Sequence, residues 1–356
     1  MGDITTDAFI RLSDAWIETD NPKRERELCM RFADKIPYDF VEVVRAVGNS
    51  PNAAVSAARL GLSSGLVTNI GDDENGRECV EVLRKERVDT GYVSTHKGAK
   101  TNYHYVLWFQ DERTILVKHE AYQYKLPTIE PAPRWLYLSS LGGNSESYHD
   151  EIAHYLESHP EVRLAFQPGT FQIKLGKEKL AHLYGRTELF FCNKEEAQKI
   201  LGLSSVPPFQ KEVAESARPE DLNPSPPSAV LPFAKGESDI KRLLESIHAL
   251  GPKIVCITDG PKGAYCYDGH MNERWFMPPY PDPKPPLNRT GAGDAFASTF
   301  TSAFALGKSI REALRSAPIN SAYVVQQIGA QKGLLMREQL EKYLAIAPEN
   351  YRPRKI

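Results

Sequence analysis

Downstream of Val47, short apolar segments typical of buried strands alternate with segments typical of helices, joined by short polar or glycine-bearing turns. Strands are predicted at 65–70, 135–139, 163–166 and 188–192, and helices at 51–60, 75–87, 145–158, 177–184 and 194–201. Ser50 is the predicted N-cap of the first helix, and Gly61 follows its last turn. This order predicts an α/β fold with a mainly parallel sheet covered by helices on both faces. Ligands in such folds bind beyond the carboxyl ends of the strands.

Two regions interrupt the alternation. Residues 101–109 and 114–118 are rich in β-branched and aromatic residues around a short polar break, which predicts a hairpin. We expect a small β lid from about 8–17 and 98–120, and a homodimer formed through its apolar side chains, because a two-stranded sheet is marginal alone. The proline-rich stretch at about 204–237 is expected to be a surface insertion. The remaining expectation is one domain over residues 1–345, followed by a C-terminal tail at 346–356.

Charge and composition narrow the possible partners. The chain of 356 residues has a formal net charge of −2, so no bulk positive field would attract nucleic acid or an anionic membrane. No stretch approaches the ~20 apolar residues of a membrane span, and the first residues lack a secretory leader, so we expect a cytoplasmic protein. The five cysteines are widely spaced without a C-x-x-C pair, which indicates reduced thiols.

The stretch Asn288-Arg-Thr-Gly-Ala-Gly-Asp294 carries the clearest chemical signal. The glycines lie where a helix is predicted to begin, so the backbone N–H groups of Gly291, Ala292 and Gly293 would form an anion site suited to a phosphoryl group. Asp294, in the first turn, is placed to accept a proton from a hydroxyl nucleophile. The simpler alternative is a glycine-rich turn followed by an acid that stabilises the helix.

Further motifs stand in a recognisable order along the chain. They are Gly48-Asn-Ser-Pro-Asn52 continuing to Ala-Arg-Leu-Gly61, Asn193-Lys-Glu-Glu196, Thr258-Asp-Gly-Pro-Lys-Gly-Ala264, the stretch ending at Asp294, and Asn320 with Gly329-Ala330. With these motifs the sequence resembles the PfkB, or ribokinase-like, carbohydrate kinase family over almost its whole length. The resemblance implies a ribokinase-like fold, with the mainly parallel sheet, helices on both faces and the small β lid.

The resemblance also implies an activity: transfer of the γ-phosphoryl group of ATP, with Mg²⁺, to a hydroxymethyl oxygen of a small sugar or sugar acid. Asp294 would be the general base, with Gly291, Ala292 and Gly293 as the anion hole. Substrate would be bound by Asp7, Gly48 and Asn52, and Glu196 would act on Mg²⁺ through water. The nucleotide would be bound by Asn193, Thr258, Gly260, Gly263, Asn320 and Ala330. A ribonucleoside kinase and a catalytically silent binding protein of the same family are the alternatives.

Three positions depart from the family pattern. Asn288 replaces an acid that in the family helps to hold a monovalent cation, so cation activation is doubtful. The strand that begins at Trp135 is followed by Ser139-Ser-Leu-Gly, without the acid often found there, which leaves the sugar open. Met1 stands directly before Gly-Asp, where the family has a buried strand. Either the natural reading frame starts earlier or the sheet lacks that strand.

Overall fold

The computed structural model describes residues 1–19, 26–110, 112–203 and 237–356. The strands are β1 (Thr5–Leu12), β2 (Trp16–Glu18), β3 (Glu27–Cys29), β4 (Tyr38–Val47), β5 (Thr68–Gly71), β6 (Val93–His96), β7 (Tyr103–Phe109), β8 (Glu112–Leu116), β9 (Trp135–Leu138), β10 (Arg163–Phe166), β11 (Thr187–Asn193), β12 (Ile254–Thr258), β13 (Ala264–Asp268), β14 (Glu273–Met277) and β15 (Arg354–Lys355). The helices are α1 (Asn49–Arg59), α2 (Glu74–Lys85), α3 (Glu146–Ser158), α4 (Thr170–Leu175), α5 (Ala181–Arg186), α6 (Lys194–Ile200), α7 (Glu237–His248), α8 (Ala292–Ala305), α9 (Ile310–Val324) and α10 (Arg337–Ala345). Of the predicted insertion, residues 204–236 lie outside the described residues.

The main sheet has seven strands in the order β15-β14-β13-β12-β11-β10-β9. Strands β9 to β12 are parallel, and β13, β14 and β15 continue the sheet in antiparallel pairing. The α/β class is confirmed, and the sheet is more mixed than expected because short turns after β12 and β13 reverse the chain. Strands β5 and β6 form a separate parallel pair.

Helices cover both faces of the main sheet, as predicted. Neighbouring residues of β11 point to opposite faces: the Phe190 ring meets Tyr184 of α5, whereas the Phe191 ring meets Phe300 of α8. The core on the Phe190 face of the sheet also contains buried residues of α3, α6 and α7. The core on the Phe191 face also contains buried residues of α9 and α10. In α8 the rings of Phe296, Phe300 and Phe304 stack along the helix with centroid separations of 6.2 and 5.3 Å, so the predicted aromatic stripe packs against the sheet.

A second sheet, here called the flap sheet, contains β4, β1, β7 and β8 in that order. The predicted hairpin is present as β7 and β8, and β1 joins it in parallel pairing with β7. Strand β4 was not predicted, and it pairs antiparallel with β1 on the other side. The end of the segment 8–17 does not join this sheet, because Trp16 and Ile17 pair with β3 instead.

Several boundaries differ from the predictions. Helix α1 begins at Asn49 with Gly48 at the N-cap, and Ser50 is not the cap because its hydroxyl bonds to the Met1 carbonyl and the Ser139 hydroxyl. The helix predicted at 177–184 is replaced by the short α4 and α5, since Gly176 at φ 98° ends α4. Residues 346–356 are not a free tail: they bury Tyr351 and contribute β15.

Met1 and Gly2 lie beside the edge of β9. The Met1 nitrogen donates to the Tyr137 carbonyl at 2.7 Å, the Ser139 N–H donates to the Met1 carbonyl at 3.0 Å, and the Gly2 N–H donates to the Val67 carbonyl at 3.2 Å. These bonds connect β9 to the segment before β5. In the described parts of the chain, none of the helices has the length and apolar character needed to cross a membrane.

Candidate active site

Asp294 lies in the first turn of α8, directly after the glycine-rich turn. Gly291 is the N-cap at φ 81°, and a Cβ there would lie 2.3 Å from the Cβ of Ala330, so only glycine fits. A Cβ at Gly293 would meet no atom within 4 Å. The helix start is thus packed tightly on one side and open on the other, where an anion can approach the backbone N–H groups.

Three side-chain amides donate to the Asp294 carboxylate. Asn49 Nδ2 and Gln167 Nε2 donate to Oδ1 at 2.9 and 3.0 Å, and Asn52 Nδ2 donates to Oδ2 at 2.8 Å. Burial raises the pKa of this carboxyl above its ordinary value, and the amide donors and the Arg113 guanidinium act in the opposite direction. A carboxylate whose pKa is raised by burial and whose ionised form is favoured by amide donors is suited to accept a proton from an alcohol.

Different elements supply these amides. Asn49 and Asn52 are in the first turn of α1, and Gln167 directly follows β10. The three side chains therefore converge at the carboxyl edge of the sheet, where ligands bind in open α/β folds. Gln167 also accepts a hydrogen bond from the Tyr137 hydroxyl at the end of β9, which fixes the amide so that its NH₂ group faces Asp294.

Arg113 of β8, in the flap sheet, lies near enough to Asp294 for its charge to act on the carboxylate. It is paired across the hairpin with the buried Trp108, and the charges of Glu112 and Asp294 raise its pKa while burial lowers it more. Within the described parts of the chain, its buried Nε has no hydrogen-bond partner. Sequence reasoning missed Asn49, Gln167 and Arg113. The available signals were the position of Gln167 after a strand and that of Arg113 in the polar break of the hairpin.

The predicted substrate residues lie on two neighbouring elements. Gly48 has φ 121°, and a Cβ there would lie 2.7 Å from the Asp3 carbonyl oxygen. Asp7 of β1 lies opposite His104 of β7, with 3.4 Å between Asp7 Oδ1 and His104 Nδ1. Asn52 is engaged at both ends of its amide, because its oxygen accepts from Gln331 Nε2 at 3.0 Å and its NH₂ group donates to Asp294.

The predicted nucleotide residues are distributed over the other side of the carboxyl edge. Asn193 and Thr258 are paired where β11 and β12 end. Gly263 has φ 99° and leaves no space for a Cβ, which would lie 2.4 Å from the Met277 carbonyl oxygen, whereas Gly260 is exposed with open space around it. The turn between β12 and β13 therefore presents the Gly260 backbone at this edge without a side chain to cover it.

Asn320 has no exposed surface and uses its amide inside the protein. Its Nδ2 donates to the Thr299 hydroxyl at 2.8 Å, and its oxygen accepts from the Leu335 N–H at 2.9 Å. Any contribution of Asn320 to nucleotide binding is therefore indirect, through the position of the backbone at Leu335. Ala330 packs against Gly291, so any contribution of Ala330 would be indirect as well.

The sequence matches the pfkB family carbohydrate kinases over residues 40–336. This chain belongs to that family. A ribokinase from Bacillus subtilis is 27% identical over 300 residues, which cover 84% of this chain and 87% of the relative. A fructosamine kinase from the same organism is 25% identical over 298 residues, covering 82% and 88%. The crystal structure of a ribokinase from Cryptococcus neoformans in complex with ADP has the same fold, with a TM-score of 0.70 at 22% identity over 96% of this chain and 97% of that one. As a PfkB kinase the protein is a phosphotransferase with an alcohol acceptor on a small sugar or nucleoside.

Magnesium would be held in this PfkB kinase by few protein groups. Glu196 and Asn193 form a capping box at the start of α6, in which Glu196 Oε2 accepts from the Asn193 N–H at 2.8 Å. Burial and the nearby Asp294 charge raise the pKa of Glu196. Among the described residues no cluster of three metal-ligating side chains exists.

Asn288 uses its amide oxygen inside the protein. It is 2% exposed, its oxygen accepts from the Thr290 N–H at 2.7 Å, and among the described residues its buried Nδ2 has no hydrogen-bond partner. The group left free is thus a donor, whereas a hard cation requires oxygen ligands. The family acid at this position has not been replaced by an equivalent ligand.

Proposed function

We propose that this PfkB kinase transfers the γ-phosphoryl group of ATP to the hydroxymethyl group of a small sugar or sugar acid. The observation that supports the proposal most directly is the Asp294 carboxylate, which three amides orient at the open start of α8. A carboxylate held in this way has a fixed position, and the amide donors favour its ionised form. Both are needed for proton abstraction next to an anion site.

The residues of this chain account for each step of the transfer. The Asp294 carboxylate accepts the hydroxyl proton as the substrate oxygen forms a bond to the γ-phosphorus. The bond between that phosphorus and the β–γ bridging oxygen breaks, and its electron pair leaves with ADP. The N–H groups of Gly291, Ala292 and Gly293 stabilise the charge on the transferred group. Glu196 would hold Mg²⁺ through water, and the ion would supply positive charge against the phosphates.

Asp294→Asn tests the proposal because an amide is nearly the same size and cannot accept the proton. We expect kcat to fall about 10²–10⁴-fold with ATP affinity retained. The matched control is Asp150→Asn, an exposed acid of α3 whose only described ion pair is with His182. Turnover would be measured as ADP release with pentoses, hexoses, sugar acids and nucleosides. An Asp294→Asn enzyme that keeps more than a tenth of wild-type kcat contradicts the role of this base.

We also propose that the protein is a homodimer through the outer face of the flap sheet. Val43 and Tyr105 both pair with Ala8, and Leu116 pairs with Tyr105, so these three side chains share one face. They are 37%, 49% and 52% exposed, which is more apolar surface than a strand face normally leaves in water. A second copy of the same face would cover it. A cytoplasmic location stays a prediction from the sequence.

A further inference from the structure

A buried glutamine that the proposed mechanism does not use lies behind the catalytic end of the site. Gln331 is 6% exposed and belongs to the loop between α9 and α10. Its Nε2 donates to the Ala46 carbonyl at 2.7 Å and to Asn52 Oδ1 at 3.0 Å. An amide nitrogen carries two hydrogens, one for each acceptor, and the oxygen of the amide could make neither bond. The orientation of the Gln331 side chain is therefore fixed by its two partners.

The bond from Gln331 also fixes the Asn52 amide. Asn52 accepts through Oδ1 from Gln331 and donates through Nδ2 to Asp294 Oδ2 at 2.8 Å. An ionised carboxylate only accepts hydrogen bonds, so a single orientation of the Asn52 amide suits both of its neighbours. The two amides thus donate in series toward Asp294, and hydrogen bonds arranged in series strengthen one another.

Helix α1 also binds the backbone of the loop that carries Gln331. Arg59 Nη1 donates to the carbonyl oxygens of Gln331 at 2.8 Å and of Leu334 at 2.7 Å. The same guanidinium donates to both carboxylate oxygens of Glu86, at 2.8 and 2.7 Å. Asn52 and Arg59 are about two helical turns apart, so both lie on one face of α1. The loop is therefore held against α1 through the side chain of Gln331 and through its carbonyl.

The other acceptor of Gln331 is a strained backbone position. Ala46 has φ 59°, in the left-handed region that favours glycine, and its side chain has no exposed surface. Its N–H donates to Cys79 Sγ at 3.3 Å, and its carbonyl accepts from Gln331. Ala46 is near the end of β4, two residues before Gly48, the N-cap of α1. These two bonds therefore hold the junction between the flap sheet and the helix that carries Asn52.

We propose, resting on the role of Asp294 given above, that Gln331 is a positioning residue for the catalytic base. It fixes the Asn52 amide with the donor end toward Asp294, and through the same nitrogen it holds Ala46 at the entry to α1. Gln331 acts through Asn52 and not on the substrate, because both hydrogens of its amide are used inside the protein.

Gln331→Glu tests this role, because it keeps the shape of the side chain and replaces the donor with an acceptor. The Asn52 amide then turns its NH₂ group toward the new carboxylate, which brings its oxygen to Asp294. The ionised form of Asp294 is disfavoured by this exchange, so its pKa rises. We expect the acidic limb of kcat/KM to move up by about one pH unit. The plateau kcat should fall about three- to tenfold, the equivalent of one lost hydrogen bond.

A second substitution separates the loss of the donor from the charge that Gln331→Glu adds. Gln331→Met removes the donor without adding charge, and it should move the acidic limb in the same direction by a smaller amount. In an Asn52→Leu background, Gln331→Met should move the limb no further, because the residue through which Gln331 acts has been removed. A movement of the same size in both backgrounds overturns the inference.

Gln326→Met is the matched control, since this glutamine also donates its amide to a backbone carbonyl, that of Lys284 at 2.9 Å. The acidic limb should stay in place in this variant. Loss of the bond to Ala46 lowers the stability of the Gln331 variants, so each is also made with Ala46→Gly, because glycine adopts a positive φ without strain. A limb that keeps its wild-type position in the folded Gln331→Glu Ala46→Gly protein contradicts the positioning role, as does a lower kcat without movement of the limb.

Carbon-13 NMR of the Asp294 carboxyl separates this inference from the proposed role of the base, because it reads protonation without turnover. The resonance of Asp294 is the one that Asp294→Asn removes from the spectrum of aspartate-labelled protein. A higher pKa of Asp294 in Gln331→Glu supports the positioning role even if Asp294→Asn remains active, and in that case the proposed base alone fails. A pKa of Asp294 that is the same in the unaltered protein and in both Gln331 variants refutes the inference.

Discussion

The amide donors around Asp294 lead to a prediction about pH. Asn49 Nδ2 donates to Asp294 Oδ1 at 2.9 Å and has no second side-chain bond in the described part of the chain, so Asn49→Leu removes one interaction. A hydrogen bond to a charged group contributes about 1.5–3 kcal/mol, and about 1.4 kcal/mol corresponds to one pKa unit. Two amides and Arg113 remain beside the carboxylate, so the lower end of this energy range applies. The pKa of Asp294 should therefore rise by about one unit.

The direction in which the pH profile moves follows from the role of the carboxylate as a base. It works when ionised, so activity is lost as the pH falls through its pKa, and a higher pKa moves the acidic limb of kcat/KM to higher pH. Asn49→Leu should move that limb up by about one pH unit and largely keep the rate on the alkaline plateau. Asn49→Asp, which places a second carboxylate beside Asp294, should move it further.

Steady-state kcat/KM measured across the pH range is the assay, and Asn75→Leu is the control because that asparagine is in the first turn of α2, away from Asp294. An acidic limb that stays in place in both Asn49 variants refutes the reasoning. So does a limb that moves to lower pH in Asn49→Leu.

Three other results are expected. Gly293→Ala should fold normally, since its Cβ meets no atom within 4 Å, and it should lose turnover because the methyl group occupies the path by which the phosphate approaches. Gly291→Ala should instead lower the free energy of unfolding by about 1–3 kcal/mol, because its Cβ would collide with Ala330. Normal turnover in Gly293→Ala contradicts the anion site. Activity in K⁺ should equal activity in a bulky organic cation at matched ionic strength, and Asn288→Asp should introduce K⁺ activation; a several-fold K⁺ requirement of the unaltered enzyme contradicts this. Light scattering at micromolar concentration should show a dimer that Leu116→Glu converts to a monomer, whereas a monomeric unaltered protein argues against the flap interface.

The order of strands and helices could be predicted because each element of the main sheet is signalled by its own residues: an apolar run, a capping residue or a glycine. Strand β10 matches its predicted bounds, and β9 and α6 differ by one residue at one end. The motif around Asp294 is local in the same sense, since the turn and the base are within one stretch. The turn and the base of this motif can therefore be identified from the sequence without knowledge of the fold.

The hydrogen-bond partners of Asp294 could not be predicted because they are distant from it in the sequence. Gln167 is 127 positions away and Asn49 is 245 positions away, and no local pattern indicates that either residue contacts Asp294. Strand β4 was missed for another reason. Its first four residues are all exposed, so it lacks the alternation of buried and exposed positions that signals a strand, and it is an edge strand of the flap sheet.

Strand β1 is an inner strand of the flap sheet and carries Asp7, a predicted substrate residue, within that sheet. The pairing with β4 shifts register between Thr5 and Asp7, and a bulge of this kind bends a strand locally. The bend lies next to Asp7, so a rotation of the flap sheet about it would carry Asp7 and His104 along. With Asp7 in the substrate site, a substitution at the far end of the flap sheet would then change the affinity for the substrate.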